Sequence, residues 1–333
     1  MMEFNHIQKA TNLPSEWDEV ADNYFQQKSF LLHTEKYNPC RQRYYTCSDN
    51  GKLAAAAIVY SLGLDFLTFI NVRSPVKMNI TGIPCSVSVK GIFGNKDAIE
   101  DLKKYIVNAE KGFLLFLNLE EEPVNSHLAS GKTLPTIILK NSFSGWDDYL
   151  ATLRSNYRRR LTIINKPGQE IRFEKKPCAE FTNEMYHQYL SVYKRSKEKL
   201  EKLNFDFFRY LPGEFILTVC YKNNTIIGWN ITLENQNVYY FFLGGIDYKQ
   251  NKTYSTYLRL LTNIVKEGIE QKATIIELGQ TAEIAKMRMG GKPEPRYMEA
   301  HHSNSVINKL IKTLSPLLEY RRKLENTTAL KEE

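Results

Sequence analysis

The stretch VYYFFLGGIDYKQNKTYSTYLRLLTNIVKEGIEQKATIIELG, residues 238–279, decides the fold. Its first residues, 238–244, are almost all apolar or aromatic, which is typical of a buried strand. The polar segment 247–255 leads into 256–271, where apolar residues at helical spacing predict a helix. A second strand is predicted at 274–278. This alternation favours layered α/β structure over an all-helical or an all-β chain.

The sequence on both sides of this stretch continues the same alternation. Asn223-Asn224 predicts a tight turn between two strands. Further strands are predicted at 43–47, 52–60, 66–72, 113–119, 215–221, 226–233 and 296–301. Further helices are predicted at 15–28, 97–109, 144–165, 183–201, 282–289 and 306–325. The chain is therefore predicted to be α/β (mixed α+β), with two similar halves in tandem and a central mixed sheet in each.

The helical segment 144–165 marks the predicted domain boundary. Its apolar residues recur at spacings of three and four, and Pro167-Gly168 ends it. We expect an N-terminal domain over residues 1–143 and a connecting basic helix and hinge over 144–175. The C-terminal domain then covers 176–333.

The composition indicates a globular protein with a modest excess of positive charge. The 333 residues are 42% hydrophobic and 25% charged, enough for a large core and about two domains. The net charge of +8 suits anionic partners such as a nucleotide cofactor, an acidic carrier protein, tRNA or a membrane surface. A basic surface that only contacts solvent accounts equally well for this net charge.

The sequence also excludes several classes of protein. Its five cysteines are scattered and form no CxxC pair, which argues against a disulfide framework and a zinc site and predicts a cytoplasmic location. His301 and His302 are adjacent, so in a strand they point to opposite faces and hold a metal poorly; no metal is expected. The most apolar stretch, 53–70, is interrupted by Ser61, Gly63 and Asp65, so no integral membrane segment is predicted. Hydrolase, metalloprotease and nucleotide-loop motifs do not occur.

Three motifs carry a resemblance to a known family. Gly244-Gly245-Ile246-Asp247 closes a predicted strand, and Leu278-Gly279-Gln280-Thr281 is followed by Lys286. The segment SNYRRRLTIINK, residues 155–166, precedes the second half. Over about residues 15–320 the chain resembles the tandem-GNAT acyltransferases, a group similar to the Fem-type aminoacyl-tRNA-dependent transferases. The resemblance implies two tandem GNAT-like domains and transfer of an acyl group to an amine, with the donor in the C-terminal domain.

The predicted donor site is the start of the helix at Thr256. Backbone N–H groups and the helix dipole favour a phosphate at such an end. The preceding loop offers Lys249, Lys252, Thr253 and Ser255, although a polar loop with a helix cap explains these residues equally well. The loop lacks the glycines that the family uses to hold a pyrophosphate. This difference disfavours tight binding of acyl-CoA and leaves room for another carrier. The expected donor is acyl-CoA or an acyl-carrier-protein thioester, with an aminoacyl-tRNA as the alternative.

Acyl transfer needs a base for the acceptor amine and a donor for the oxyanion. Glu277, at the end of one predicted strand, is a candidate base, directly or through water, and His301 or His302 at the end of the next strand is the alternative. A strand opened at Gly244-Gly245 would supply a backbone N–H to the oxyanion. The resemblance makes Lys286 a candidate cation for the oxyanion or the acceptor. Tyr240 is a candidate acid, although it is also explained as packing.

The predicted acceptor is a small-molecule amine or an amino acid. Gln280 is a candidate acceptor contact. Arg154 and Arg158 lie four residues apart, on one face of the predicted helix, and are suited to bind phosphate or carboxylate. Such a charged stripe is also typical of a solvated helix. Three hypotheses remain open: an acyl-CoA or carrier-protein N-acyltransferase, an aminoacyl-tRNA-dependent transferase that binds tRNA through the arginines, and a GNAT-like binding protein without activity.

Overall fold

The computed structural model describes residues 2–38, 40–65, 75–123, 126–164, 170–196, 199, 201–322, 324 and 327–331. The strands are β1 (Met2–Ile7), β2 (Arg43–Asp49), β3 (Lys52–Asp65), β4 (Pro75–Thr81), β5 (Ile92–Gly94), β6 (Phe113–Leu119), β7 (Ala129–Lys140), β8 (Ile171–Pro177), β9 (Phe215–Lys222), β10 (Thr225–Asn235), β11 (Val238–Ile246), β12 (Ile275–Gly279) and β13 (Lys292–His302).

The helices are α1 (Trp17–Val20), α2 (Lys28–Tyr37), α3 (Lys96–Ala109), α4 (Trp146–Thr152), α5 (Ser155–Ile164), α6 (Asn183–Arg195), α7 (Phe205–Arg209), α8 (Tyr248–Tyr254), α9 (Thr256–Glu270), α10 (Glu283–Met287) and α11 (Ser305–Leu318).

The chain divides into two compact units. The first unit comprises Met1–Leu134 with Pro295–Arg321, and the second comprises Pro135–Glu294 with Arg322–Glu333. Each unit therefore takes a segment from the other half of the sequence. This differs from the predicted division at residue 143, because the chain crosses between units inside β7 and inside β13.

The first unit is a mixed sheet with strand order β1-β2-β3-β4-β6-β13, and β5 pairs with β3. The pair β4–β6 is parallel, whereas the other pairs with a known register are antiparallel. Helix α3 begins where the Asn95 side chain accepts a hydrogen bond from the Asp97 N–H, an N-cap that satisfies an otherwise unpaired donor. Its buried residues Leu102 and Ile106 join the core formed with Phe116 and Val59.

The second unit is a mixed sheet with strand order β7-β12-β11-β10-β9-β8. Here β11–β12 is the parallel pair, and the other pairs are antiparallel. Helix α9 covers one face because its apolar residues repeat at spacings of three and four; Leu261, Ile264 and Val265 are fully buried. Helices α4 and α5 pack into the same core, where the Tyr149 hydroxyl donates to the carbonyl of Met289 at 2.9 Å.

Several predicted elements differ in the structure. The predicted helix 15–28 contains only the short helix α1 and a 3₁₀ turn at Tyr24–Gln26, and α2 begins at its last residue, Lys28. The predicted helix 144–165 is broken at Leu153, which forms an isolated bridge with Leu330. The polar segment 247–255 contains helix α8 rather than a loop. The predicted strand 66–72 lies outside the described residues. Among the described residues, no helix has the length and apolar character needed to span a membrane.

Candidate active site

The parallel strands β11 and β12 stop pairing halfway along β11. Their register joins Val238 to Ile275, Tyr239 to Ile276, and Tyr240 to Glu277. Strand β11 continues to Ile246 and stays paired with β10 on its other side. In the described part of the chain, no pairing of β11 with β12 extends past Tyr240. We call this point, after Tyr240 and Glu277, the fork.

A β-bulge lies at the fork on each strand. The β10–β11 register shifts so that Phe242 is the extra residue of β11. The β7–β12 register shifts so that Leu278 is the extra residue of β12. A bulge bends its strand and increases the local twist. Two bulges at the same level of neighbouring strands explain why the pairing ends there.

The glycine pair of β11 has a packing role beyond the fork. Gly244 pairs with Asn230, and Gly245 pairs with Trp229. A Cβ added to Gly245 would lie 2.5 Å from the Trp229 indole nitrogen, closer than real Cβ contacts allow. The buried indole therefore requires glycine at this position. The opening of the strand was predicted at these two glycines. In the structure, the pairing of β11 with β12 already ends at Tyr240.

Two predicted catalytic residues face each other in the last pair before the fork. Tyr240 and Glu277 are register partners on neighbouring strands, so their side chains project from the same face of the sheet. Tyr240 is buried, and Glu277 is half-buried. The Thr136 hydroxyl of β7 donates to Glu277 Oε1 at 3.2 Å. The fork thus holds a phenol and a carboxyl in adjacent positions.

Lys286 reaches the fork from helix α10. Its side chain is buried, with 3% of its surface exposed, and Nζ donates to the carbonyl of Gln280 at 2.6 Å. Nζ also lies 5.7 Å from the ring centroid of Phe241, the first β11 residue past the fork. A Cβ added to Gly279 would lie 3.9 Å from Nζ and 3.7 Å from the Phe241 carbonyl oxygen. Residues from both strands and α10 therefore meet at this ammonium group.

Burial lowers the pKa of Lys286 to about 7, although Glu283 and Glu277 both act to raise it. Desolvation disfavours the charged form of a buried amine, and neither carboxylate fully offsets that cost. Glu283 is 2% exposed and accepts from Arg322 at 3.2 Å, so its charge is shared with the arginine. A lysine with a pKa near neutrality exchanges its proton readily at physiological pH.

The predicted donor loop has a different structure from the one expected. Asp247 caps α8 by accepting from the Lys249 N–H, and Lys249, Lys252 and Thr253 are exposed residues of that helix. Ser255 has a left-handed backbone, with φ of 52°, and joins α8 to α9.

The start of α9 is capped by the chain itself. The Asn251 side chain accepts a hydrogen bond from the Tyr257 N–H at 2.8 Å. One backbone donor that a phosphate would use is therefore already satisfied. The start of α9 therefore differs from an open, glycine-rich loop whose backbone N–H groups are available to a phosphate.

The remaining predicted site residues are distributed over both units. Arg154 is exposed and precedes α5, and Arg158 is half-buried within it; both belong to the second unit, as does Gln280. His301 lies on β13 in the first unit and pairs with Leu114 of β6. Burial, followed by His302 and Lys312, lowers the pKa of His301. The structure therefore collects Tyr240, Glu277, Gln280 and Lys286 in the second unit.

Sequence reasoning missed four contributors to this region. Thr136 lies on β7, whose sequence ASGKTLPTIILK contains a glycine and a proline and was not predicted as a strand. Phe241 was read only as part of an apolar run. The Glu283–Arg322 pair joins residues 39 positions apart, and no local pattern reveals it. In the described residues, no cluster of three or more His, Cys, Asp or Glu side chains is arranged to hold a metal ion.

Comparison with known proteins establishes the fold. No family model matches the sequence, and no curated protein matches it. The structure of L-PGS from Bacillus licheniformis is 13% identical, with a TM-score of 0.53, over 95% of this chain and 98% of that one. A tandem GNAT protein from the clavulanic acid biosynthesis pathway is 8% identical, with a TM-score of 0.53, over 91% and 99%.

A conserved protein of unknown function from Bacteroides thetaiotaomicron is 11% identical, with a TM-score of 0.51, over 90% and 99%. The similarities span nearly the whole of each chain. The predicted fold of two tandem GNAT-like domains is thereby confirmed. At these sequence identities the comparison shows the fold alone.

Proposed function

We propose that the chain is an N-acyltransferase that moves an activated acyl group to the amine of a small molecule or an amino acid. The observation that carries this proposal is the fork between β11 and β12 with the buried amine of Lys286 beside it. The fold supports it, because two of its structural neighbours are a tandem GNAT protein and L-PGS.

Lys286 is the proposed proton acceptor. An amine attacks an acyl carbonyl only as the free base, and its nitrogen must lose a proton as the new C–N bond forms. Neutral Lys286 takes that proton. When the tetrahedral intermediate collapses and the C–S or C–O bond breaks, the resulting ammonium returns a proton to the leaving thiolate or alkoxide. A pKa of about 7 suits both directions of transfer. Glu277 and His301 remain the alternative bases.

The opened part of β11 is the proposed oxyanion site. Backbone groups of a strand point alternately to its two sides, and β10 occupies one side of residues 241–246. The N–H groups on the other side face the fork and are suited to receive the developing negative charge, a contribution of about 3 kcal/mol for each donor. Buried Tyr240 lies at the same level, and its hydroxyl is the proposed hydrogen-bond donor to the leaving group, while the proton itself comes from Lys286.

The identity of the donor is the less constrained part of the proposal. We retain acyl-CoA or an acyl-carrier-protein thioester, with Lys249, Lys252, Thr253 and Ser255 as its phosphate contacts and Gly244 and Gly245 lining its path. The α8 helix and the Asn251 cap favour a carrier protein over free acyl-CoA, because they occupy the position of an open phosphate loop.

An aminoacyl-tRNA donor is the second candidate. Exposed Arg154 and half-buried Arg158 lie at the start of α5, where they are placed to meet a phosphate backbone, and Gln280 remains a candidate contact for the acceptor. All these donors are cytoplasmic molecules. The five buried free cysteines are consistent with that reducing compartment.

The test is a transfer assay on the purified full chain. Acetyl-CoA, long-chain acyl-CoA, acyl-carrier-protein and aminoacyl-tRNA are each supplied with a panel of amines and amino acids. We expect turnover with one donor class, loss of turnover in Lys286→Met, and normal turnover in Lys266→Met, an exposed lysine of α9. Ribonuclease sensitivity would assign the donor to tRNA. Absence of binding and turnover with every donor would reject the enzyme proposal.

A further inference from the structure

Helix α11 exposes an apolar surface that the acyl-transfer site does not use. None of its described residues is buried. Val306 is 73% exposed, Leu310 57% and Leu314 37%. Large hydrophobic side chains exposed to this degree are rare in the rest of the described chain, where they are isolated on four different segments: Leu32, Ile163, Tyr210 and Ile216. The concentration on one helix indicates an interaction surface.

The exposed residues form one stripe. Val306, Leu310 and Leu314 are spaced by four, so at about 100° per residue they lie within one quarter of the helix circumference. Half-buried Ile307 and Ile311 continue the apolar arc. The opposite side carries only polar residues and a proline, namely Ser305, Asn308, Lys309, Lys312, Thr313, Ser315 and Pro316. The helix is therefore amphipathic, with its most apolar part turned outward.

The charged residues within α11 have one sign. Helix α11 contains Lys309 and Lys312 and no acidic residue. Both lysines are exposed. Arg321 follows soon after the helix ends, although Glu319 pairs with it at 3.3 Å. Lys309 lies at the edge of the stripe, about 60° from Val306, and Lys312 lies on the far side of the helix. An apolar stripe on a helix whose only charges are cations is complementary to a surface that is apolar inside and negatively charged at its boundary.

We propose that α11 is an interfacial helix that inserts its Val306–Leu310–Leu314 stripe into the boundary of an anionic lipid membrane. Its length of 14 residues and its lysines suit a position along the membrane surface. A second copy of the chain fits less well, because packing two stripes together would bring the like charges of Lys309 from both copies to the edge of the contact. This proposal is independent of the acyl-transfer reaction.

The test is sedimentation of the full chain with vesicles. One set contains phosphatidylcholine alone, and the other also contains phosphatidylglycerol. We expect binding to the anionic vesicles that weakens with salt. The double variant Lys309→Gln, Lys312→Gln should bind the anionic vesicles about tenfold more weakly. Replacing Val306, Leu310 and Leu314 by serine should weaken this binding by more than tenfold, because apolar burial is lost. The matched control, Leu32→Ser, alters an exposed leucine elsewhere and should bind normally.

A single-site probe tests insertion directly. Leu310→Trp should show a blue-shifted emission and quenching by brominated lipid when anionic vesicles are added. Equal binding to both vesicle types, no binding to either, or a serine variant that binds like the parent would each overturn the proposal. Self-association in the absence of lipid that the serine substitutions abolish would instead assign the stripe to a second copy of the chain.

Discussion

The two units of the chain contain the same kind of parallel strand pair in two different states. In the first unit, β4 and β6 pair from Met78 to Thr81, the last residue of β4. In the second, β11 runs six residues beyond its last pair with β12, from Phe241 to Ile246. One pair is closed and one is forked. In the described residues, β6 continues past its last pair with β4 after β4 has ended, whereas β11 and β12 both continue past their last pair and have the buried Lys286 beside them.

Arg43 of the first unit and Lys286 of the second unit differ in how completely each cation is paired. In the first unit Arg43 makes two bonds of 2.6 Å to Glu110, which also accepts from the Tyr45 hydroxyl at 2.6 Å. Burial acts to lower the pKa of Arg43, but the Glu110 contacts outweigh it and raise that pKa. In the second unit Lys286 bonds to a neutral carbonyl, and burial prevails. A fully paired cation stabilises the fold, whereas an incompletely paired one is ready to exchange a proton.

The largest expected effect is the loss of activity in Lys286→Met. We expect acyl transfer to fall by about 10²- to 10⁴-fold, the usual contribution of a positioned base. We also expect the free energy of unfolding at pH 7 to rise by about 2 kcal/mol, because methionine carries no desolvation cost. Transfer kinetics and urea unfolding measure the two quantities. A variant that loses stability together with activity would show that Lys286 has a structural role.

Glu110→Gln in the first unit should have the opposite outcome. It leaves Arg43 half-enclosed without its anion, and we expect a loss of about 3 kcal/mol in the free energy of unfolding. The transfer rate of the remaining folded protein should be unchanged. Glu121→Gln, which removes an exposed partner of Lys96, is the control and should leave stability unaltered. If Glu110→Gln slowed transfer without unfolding the protein, the division between a structural and a chemical cation would be wrong.

The strands around this comparison were predictable from sequence, and the resemblance implied an opening in β11 at Gly244-Gly245, but the position of the fork at Tyr240 was not predicted. Apolar runs and Asn223-Asn224 locate β9, β10 and β11, because each strand carries its own pattern. The fork depends on bulges at Phe242 and Leu278, which are properties of register between strands distant in sequence. The burial of Lys286 likewise results from tertiary packing. Its sequence pattern identified the residue, and only the structure indicates why its proton is labile.

Two other elements show where local pattern is insufficient. The segment 248–254 has few apolar residues and reads as a loop, yet Asp247 caps it as a helix. Strand β7 contains Gly131 and Pro135, both unfavourable in a strand interior, and its residues 137–140 are held by pairing with β12. In both cases a tertiary or capping contact outweighs weak intrinsic propensity.

The pH dependence of the parent protein sharpens the assignment of Lys286. With a pKa of about 7 the base is protonated at lower pH, so the single-turnover rate should fall about tenfold per pH unit in acid and level off above neutrality. The free energy of unfolding should also increase as the pH rises. The pKa in the folded state lies below the unfolded value of 10.5, so the unfolded chain binds the extra proton and stability rises between about pH 7 and 10.5.

Lys286→Met is the control for the pH dependence of both the single-turnover rate and the free energy of unfolding. Its residual rate should lose the inflexion near neutrality, and its free energy of unfolding should lose the rise. An inflexion that persists in the variant would assign the titration to another group, with His301 as the first candidate.

The smallest expected effect concerns Arg322. Three groups set the charge around Lys286: Glu283 on its own helix, Glu277 on β12, and Arg322, which is paired with Glu283. Arg322→Ala leaves the charge of Glu283 uncompensated, so the inflexion of the rate should move to higher pH. Because Arg322 is half exposed, solvent screens it and the shift should be a fraction of a unit.

Glu283→Gln should move the inflexion the other way, to lower pH, because it removes a charge that raises the pKa of Lys286. Arg321→Ala, whose partner is Glu319, should leave the inflexion in place. Opposite shifts from the two members of one ion pair cannot arise from a general loss of packing. Shifts in the same direction would show that Glu283 and Arg322 act on the fold of α10 rather than on the proton affinity of Lys286.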